Sequence, residues 1–252
     1  LPDSKKLLAT FLEYNDWLVR LGIENVGALN AAIESKRASE LILVSEALHE
    51  HRIAEIARLV MARAHEARIV LVAGPSSSGK TTFSKRLAVQ LLAQGISPFP
   101  LELDNYFLDR EKTPRDEKGA YEFEALGALD ITRLLSDLKQ LVAGQEVQLP
   151  RFNFPLGRSQ PGDVVKLEKG QLVILEGIHG LNPHLLPGLA PGQTTRIYVS
   201  CLTQLNLDRH NRISTTDTRL LRRIIRDARD RGYSAQQTIS HWESVGRGEK
   251  KH

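Results

Sequence analysis

Apolar positions in the first part of the chain recur with the period of a helix. Leu7, Leu8, Phe11, Leu12, Leu18 and Leu21 share one side of a 3.6-residue repeat, and Gly22 follows as a stop. Ile53, Ile56, Ala57 and Val60 form a second stripe within residues 45–67. Residues 1–67 are therefore read as a small helical region. At residue 68 the pattern changes. RIVLVAG is a short unbroken apolar run rich in β-branched residues, the mark of a strand buried on both faces. A Gly/Ser loop follows, then a helical stretch, TTFSKRLAVQLLAQG, closed by Gly95. Further strands are predicted at 99–103, 172–175 and 196–200, and helices at 131–142 and 220–229. Strands alternating with helices predict an α/β fold: a parallel sheet with helices on both faces, spanning residues 68–252 as one domain. Between them, EVQLPRFNF and DVVKLEKG are read as the arms of a hairpin with PLGRSQPG as its tip.

The loop after the first strand carries chemistry. Gly74-Pro75-Ser76-Ser77-Ser78-Gly79-Lys80-Thr81 fits G-x-x-x-x-G-K-[ST], in the strand–loop–helix setting that this phosphate-binding motif requires. Backbone N–H groups of Ser76, Ser77, Ser78, Gly79 and Lys80 can converge on an anion, and the helix that opens through Thr81 and Thr82 adds its positive end. Gly74 and Gly79 permit the tight backbone. Lys80 is expected on the β- and γ-phosphates of ATP and the Thr81 hydroxyl on Mg2+. The fold is thus that of a phosphate-loop NTPase.

Such loops serve many activities, and other positions narrow them. A GTPase needs a guanine-reading N-K-x-D, which the chain lacks, although Asp116–Gly119 matches D-x-x-G. A motor ATPase wants an apolar strand ending in an acid. LVILE supplies one in Glu176, so that class is not excluded by this test; Glu176 is also placed to hold Mg2+. In LELDNYF, Asp104 closes the strand after the phosphate-loop helix, where a general base for an attacking hydroxyl belongs, or it is simply a turn-starting Asp. In DTRLLRRIIRD, Arg219, Arg222, Arg223 and Arg226 recur at about one helical turn, either as a lid that meets phosphoryl charge or as a solvated basic face. The pair His49-Glu50-His51 lacks the H-E-x-x-H spacing of a zinc helix.

Bulk properties change the picture little. The chain has 252 residues, 41% hydrophobic and 25% charged, and a net charge of +4. The charge is uneven, with eight arginines and three aspartates between Arg209 and Arg231. Apolar runs are too short to span a bilayer, and Glu13, Asn15 and Asp16 interrupt any signal-peptide core. A single cysteine, Cys201, allows no internal disulfide, which suits a cytoplasmic setting. The chain opens on Leu1 rather than Met and closes on GEKKH, as expected of a piece of a longer protein.

Taken in order, GPSSSGKTTF, LDNYF, YEFEALGALD, PRFNF, LVILEGI and DTRLLRRIIRDARDRG resemble the uridine kinase and phosphoribulokinase family of phosphate-loop kinases. The long bacterial members look closest; in them an N-terminal region similar to part of threonyl-tRNA synthetase precedes the kinase, and residues 1–67 look like its tail. The resemblance implies an ATP- and Mg2+-dependent kinase acting on the 5′-hydroxyl of a nucleoside. It places Lys80 and Thr81 on phosphate and Mg2+, Asp104 on the general base with a share in the metal site, and Glu176 on the second Mg2+-associated acid. Glu124 falls on a ribose contact, Arg219 and Arg222 on lid arginines, of which Arg219 also meets substrate, and Gln237 on a lid-side substrate contact. Phe152 and Gly157 stand where uridine kinases have a Tyr and a His that read the base. The resemblance thus implies a nucleoside or similar polyol without singling out uridine. A kinase of a sugar, sugar phosphate or vitamin is the first alternative. A nucleotide-gated RNA binder is the second, and the want of aromatics in the arginine stretch before Tyr233 speaks against it. The expected partner is a small molecule, with neither membrane nor nucleic acid; a homo-oligomer is allowed.

Overall fold

A computed structural model of the chain describes residues 5–250 apart from 118, 120, 190, 202–204 and 209. Arg209 at the head of the arginine cluster, Lys118 within the D-x-x-G match, and the terminal residues 1–4, 251 and 252 lie outside the described residues.

The chain separates into two compact units. One joins Leu1–Arg52 to Ser200–Ile239; the other joins Ile53–Val199 to Ser240–His252. In the first unit, α1 (Lys5–Leu21), α2 (Val26–Glu34) and the start of α3 (Ala38–Ala62) surround a small core of Leu18, Ile23, Ala32 and Leu41. Asn25 caps α2 by accepting from the Ala28 N–H, 2.8 Å away, and its neighbour Val26 donates to the Asn206 carbonyl. That bond ties the N-terminal helices to the stretch before the arginine helix.

The second unit holds the sheet. Its strands are β1 (Ile69–Ala73), β2 (Pro98–Glu102), β5 (Leu172–Glu176) and β6 (Thr194–Tyr198), all parallel in the order β2-β5-β1-β6. Every residue of β1 is buried, as its unbroken apolar run requires. Ile69 and Leu71 face one core with Val173 and Leu175, closed by Leu134, Leu138 and Leu141 of α5 (Ile131–Val142). Val70 and Val72 face the other with Leu172 and Ile174, closed by Phe83, Leu87 and Leu91 of α4 (Lys80–Ala93). Ile53, Ala57 and Val60 of α3 join this second core, so the boundary expected at residue 67 falls within the sheet-bearing unit.

The hairpin consists of β3 (Val147–Asn153) and β4 (Arg158–Val165). Its turn is Phe154–Gly157, and most of the stretch expected to be the tip is strand, with Pro161 opposite Pro150. A two-stranded ribbon has two free edges, so prolines cost it few ladder bonds; the Pro/Gly content misled the sequence reading. Two boundaries also move: the strand expected at 196–200 is β6, and the helix expected at 220–229 is the longer α6 (Thr215–Arg231), capped by Ser214. A further helix, α7 (Ala235–Lys250), was not foreseen.

Candidate active site

Parallel strands deliver their C-terminal ends to one edge of the sheet, and the phosphate loop leaves β1 there. Gly74 is required by close approach: a Cβ on it would stand inside 3.0 Å of both the Val199 carbonyl oxygen and Ser78 Oγ. Ser77 adopts a left-handed φ of 61°, and Gly79 precedes α4 with no side chain to cap its first turn. Lys80 Nζ donates to the Pro75 carbonyl at 3.3 Å, laying its side chain back across the loop. Thr81 and Thr82 are exposed in the first turn of α4.

The acids arrive from the neighbouring strands. Thr81 Oγ1 donates to Glu176 Oε2 at 2.9 Å, joining the loop to the last residue of β5. Burial pushes the Glu176 carboxyl above its usual range; the Thr81 bond and the Lys80 charge draw it down, and Asp104 and Glu102 push it up. Lys80, Asp104 and Glu102 thus lie within charge range of Glu176. Glu102, which the sequence reading missed, ends β2 directly opposite Glu176 in the ladder. Asp104 is exposed in the 3-10 turn Leu103–Tyr106 that follows β2, one residue past the strand end expected to carry it.

These hard oxygen donors suit Mg2+, which takes one or two carboxylates or hydroxyls and completes its shell with phosphate and water. Thr81 and Glu176 would hold the ion, with Asp104 beside them.

The hairpin carries Phe152, the residue expected on the acceptor side. Phe152 is half-buried, its ring edge-on to Phe107 at 5.6 Å and to Phe154 at 5.1 Å, and its N–H donates to Asn105 Oδ1 at 3.4 Å. The residue beside Asp104 thus holds the backbone of the residue expected to stack on substrate. Glu124 is half-buried in a turn-rich stretch stitched to residues 106–115 through Glu122 N–H to the Pro114 carbonyl and Leu108 N–H to the Ala128 carbonyl. Gly157 is buried with φ 64°, and a Cβ there would meet Arg110 Nε at 2.8 Å and Cζ at 2.9 Å. Arg110 lies against the hairpin turn, donating from Nη2 to the Phe154 carbonyl and from its backbone to the Gly157 carbonyl. No pattern in the sequence pointed to Arg110.

Arg219, Arg222 and Gln237 belong to the other unit. Arg222 is exposed, while Arg219 is 6% exposed. The expected arginine face is partly spent within its own unit. Asp227, 1% exposed, pairs with Arg223 at 3.3 Å and Arg226 at 3.0 Å and accepts from Thr238. Gln237 Oε1 accepts from the Ser234 N–H while its own N–H donates to Ser234 Oγ, a reciprocal cap at the start of α7.

The model of the phosphoribulokinase / uridine kinase family matches residues 69–248. A uridine kinase of Ligilactobacillus salivarius is 30% identical over 177 residues, covering 70% of this chain and 74% of that one. Among solved structures, a possible uridine kinase from Bacillus stearothermophilus superposes with a TM-score of 0.50 at 24% identity, covering 60% of this chain and 80% of its own. D-glycerate 3-kinase from Cryptococcus neoformans gives 0.54 at 16%, covering 79% and 87%. At those identities the two structures establish the fold and not the acceptor. The match over most of the chain, phosphate loop included, shows that the chain belongs to the phosphoribulokinase / uridine kinase family.

Proposed function

We propose that the protein transfers the γ-phosphoryl group of ATP to the 5′-hydroxyl of a nucleoside. The observation that carries this reading is the hydrogen bond from Thr81 to Glu176 at the sheet edge that the phosphate loop borders, with Asp104 within charge range of that carboxylate. A nucleotide cradled by the loop N–H groups and Lys80 would present its terminal phosphate to that edge. Asp104, exposed two residues past β2, accepts the proton of the attacking hydroxyl. Phe152 and its ring partners support the face of a base, and Glu124 accepts from ribose hydroxyls. When bound beside Thr81 and Glu176, Mg2+ neutralises charge on the phosphate oxygens. Arg219 and Arg222 are assigned to phosphoryl charge, Arg219 also to substrate, and Gln237 to substrate, on family likeness alone. Curated relatives named uridine kinase support the nucleoside class.

The test is ADP release from Mg-ATP against a panel of nucleosides, pentoses, pentose phosphates and glycerate, with Asp104→Asn as control. Stimulation by nucleosides, lost in the control, is expected. Asp104→Asn should lower kcat by roughly 10²–10⁴ with ATP affinity kept. Stimulation by sugars or glycerate alone would move the acceptor to the second reading, and full turnover by Asp104→Asn would remove the base assignment.

A further inference from the structure

Two residues beyond Asp104, at the end of the same 3-10 turn, stands Tyr106. It is 1% exposed, and its hydroxyl donates to Asp137 Oδ2 at 3.0 Å. Asp137, itself 6% exposed on α5, has Arg133 Nε at 3.7 Å. Arg133 Nη2 donates in turn to the Gln148 carbonyl of β3 at 3.1 Å. The turn that carries Asp104 is therefore joined to the hairpin twice. One tie is direct, from the Phe152 N–H to Asn105; the other runs through Tyr106, Asp137, Arg133 and Gln148.

Apolar packing sets only part of this spacing, through Leu103 and Tyr106 of the turn and Val147 and Leu149 of the hairpin in one buried core. A cavity of about 300 Å³ opens between the turn and the hairpin, walled by Tyr106, Phe107, Arg133, Gln148 and Pro150 among others. Where side chains do not fill a gap, directional hydrogen bonds must hold its width. The arrangement also has a cost that a purely structural core avoids. Burial pushes the Asp137 carboxyl up, against the pull of Tyr106 and Arg133, whereas a phenylalanine at 106 together with a leucine at 137 would fill the same apolar surroundings without a buried acid.

We propose that Tyr106 and Asp137 are positioning residues for phosphoryl transfer, fixing where the Asp104 carboxylate stands relative to the acceptor-binding hairpin. This rests on the assignment of Asp104 as base. Neither residue touches the reactants. They act by keeping the base within reach of the acceptor hydroxyl, and displacement of the turn by a fraction of an ångström leaves phosphate binding intact while the hydroxyl is deprotonated less often.

The experiment uses Tyr106→Phe, Asp137→Leu and Asp137→Asn, the last of which keeps an acceptor oxygen for the tyrosine hydroxyl. The acceptor is whichever compound of the panel above the wild-type protein turns over fastest. For each variant, kcat, both KM values and the ratio of ADP formed to acceptor phosphorylated are measured. Tyr106→Phe and Asp137→Leu are expected to lower kcat about tenfold, leave the KM for ATP unchanged and raise the ratio as water replaces the mispositioned acceptor. Asp137→Asn should stay near wild type. Loss of folded protein lowers both products together and leaves the ratio alone, so the ratio separates positioning from mere stability. Wild-type kcat and ratio in Tyr106→Phe, or a proportional loss of both products, overturns the proposal. Asp104→Asn run alongside distinguishes the two assignments. If it is dead while Tyr106→Phe is unaffected, only the positioning role falls; if it turns over normally, the base and its positioning fall together.

Discussion

Replacing Gly74 by alanine tests whether the phosphate loop depends on close approach of two backbones. The added Cβ would stand inside 3.0 Å of the Val199 carbonyl oxygen, which belongs to the segment just past β6. That segment is held by the Val199 N–H, which donates to the Ala73 carbonyl at 2.7 Å. Relief of the clash must part the same two segments, so the hydrogen bond is stretched or broken. Overpacking costs about 1–3 kcal/mol and the bond about 1 kcal/mol, giving about 2–4 kcal/mol in all. Gly157→Ala is the comparison. There φ is 64° and the nearest obstacle is the guanidinium end of Arg110, which can swing aside, so about 1–2 kcal/mol for the left-handed alanine is expected. Urea denaturation measures both. Thermal protection by Mg-ATP adds a local readout: at a hundred times Kd a bound ligand stabilises by about 2.7 kcal/mol. That protection should vanish in Gly74→Ala and persist in Gly157→Ala. A Gly74→Ala protein within about 0.5 kcal/mol of wild type and still protected would refute the reasoning.

Glu176→Gln should exchange function for stability. Because burial raises the Glu176 pKa above its ordinary 4.5, the folded state favours the protonated form. The stability contributed by that preference is complete below the ordinary value and is lost as pH rises through the raised one. In nucleotide-free urea titrations the wild-type midpoint should therefore fall relative to Glu176→Gln as pH rises through that window, while the variant loses Mg-ATP-dependent turnover. Parallel midpoints across pH would contradict this. In the other unit, Asp227→Asn removes the buried carboxylate that pairs with Arg223 and Arg226 and should cost about 3–5 kcal/mol by urea denaturation; a cost under about 1 kcal/mol would show that the cluster is not coupled.

Local pattern determined much of this protein by itself. The two-sided burial of β1 follows from five consecutive apolar residues, and the phosphate loop from glycine, lysine and threonine at fixed offsets. The acids Asp104 and Glu176 were legible because strand ends are where parallel sheets present chemistry. Pairing decided what no window of sequence contains. Glu102 matters because β2 and β5 place it opposite Glu176. The hairpin arms depend on which prolines face a free edge, and a composition of Pro and Gly reads as loop whichever way they face. The arginine stripe spaces its side chains correctly for a basic face, but a buried aspartate on the same helix takes two of them. Tyr106 and Asp137 are 31 residues apart and look like any aromatic and any helical acid until α5 lies against the turn that bears Asp104. Periodicity and motif spacing are local properties and survive in sequence; the partner of a polar group is set by chain segments distant in sequence, so only the folded structure assigns it.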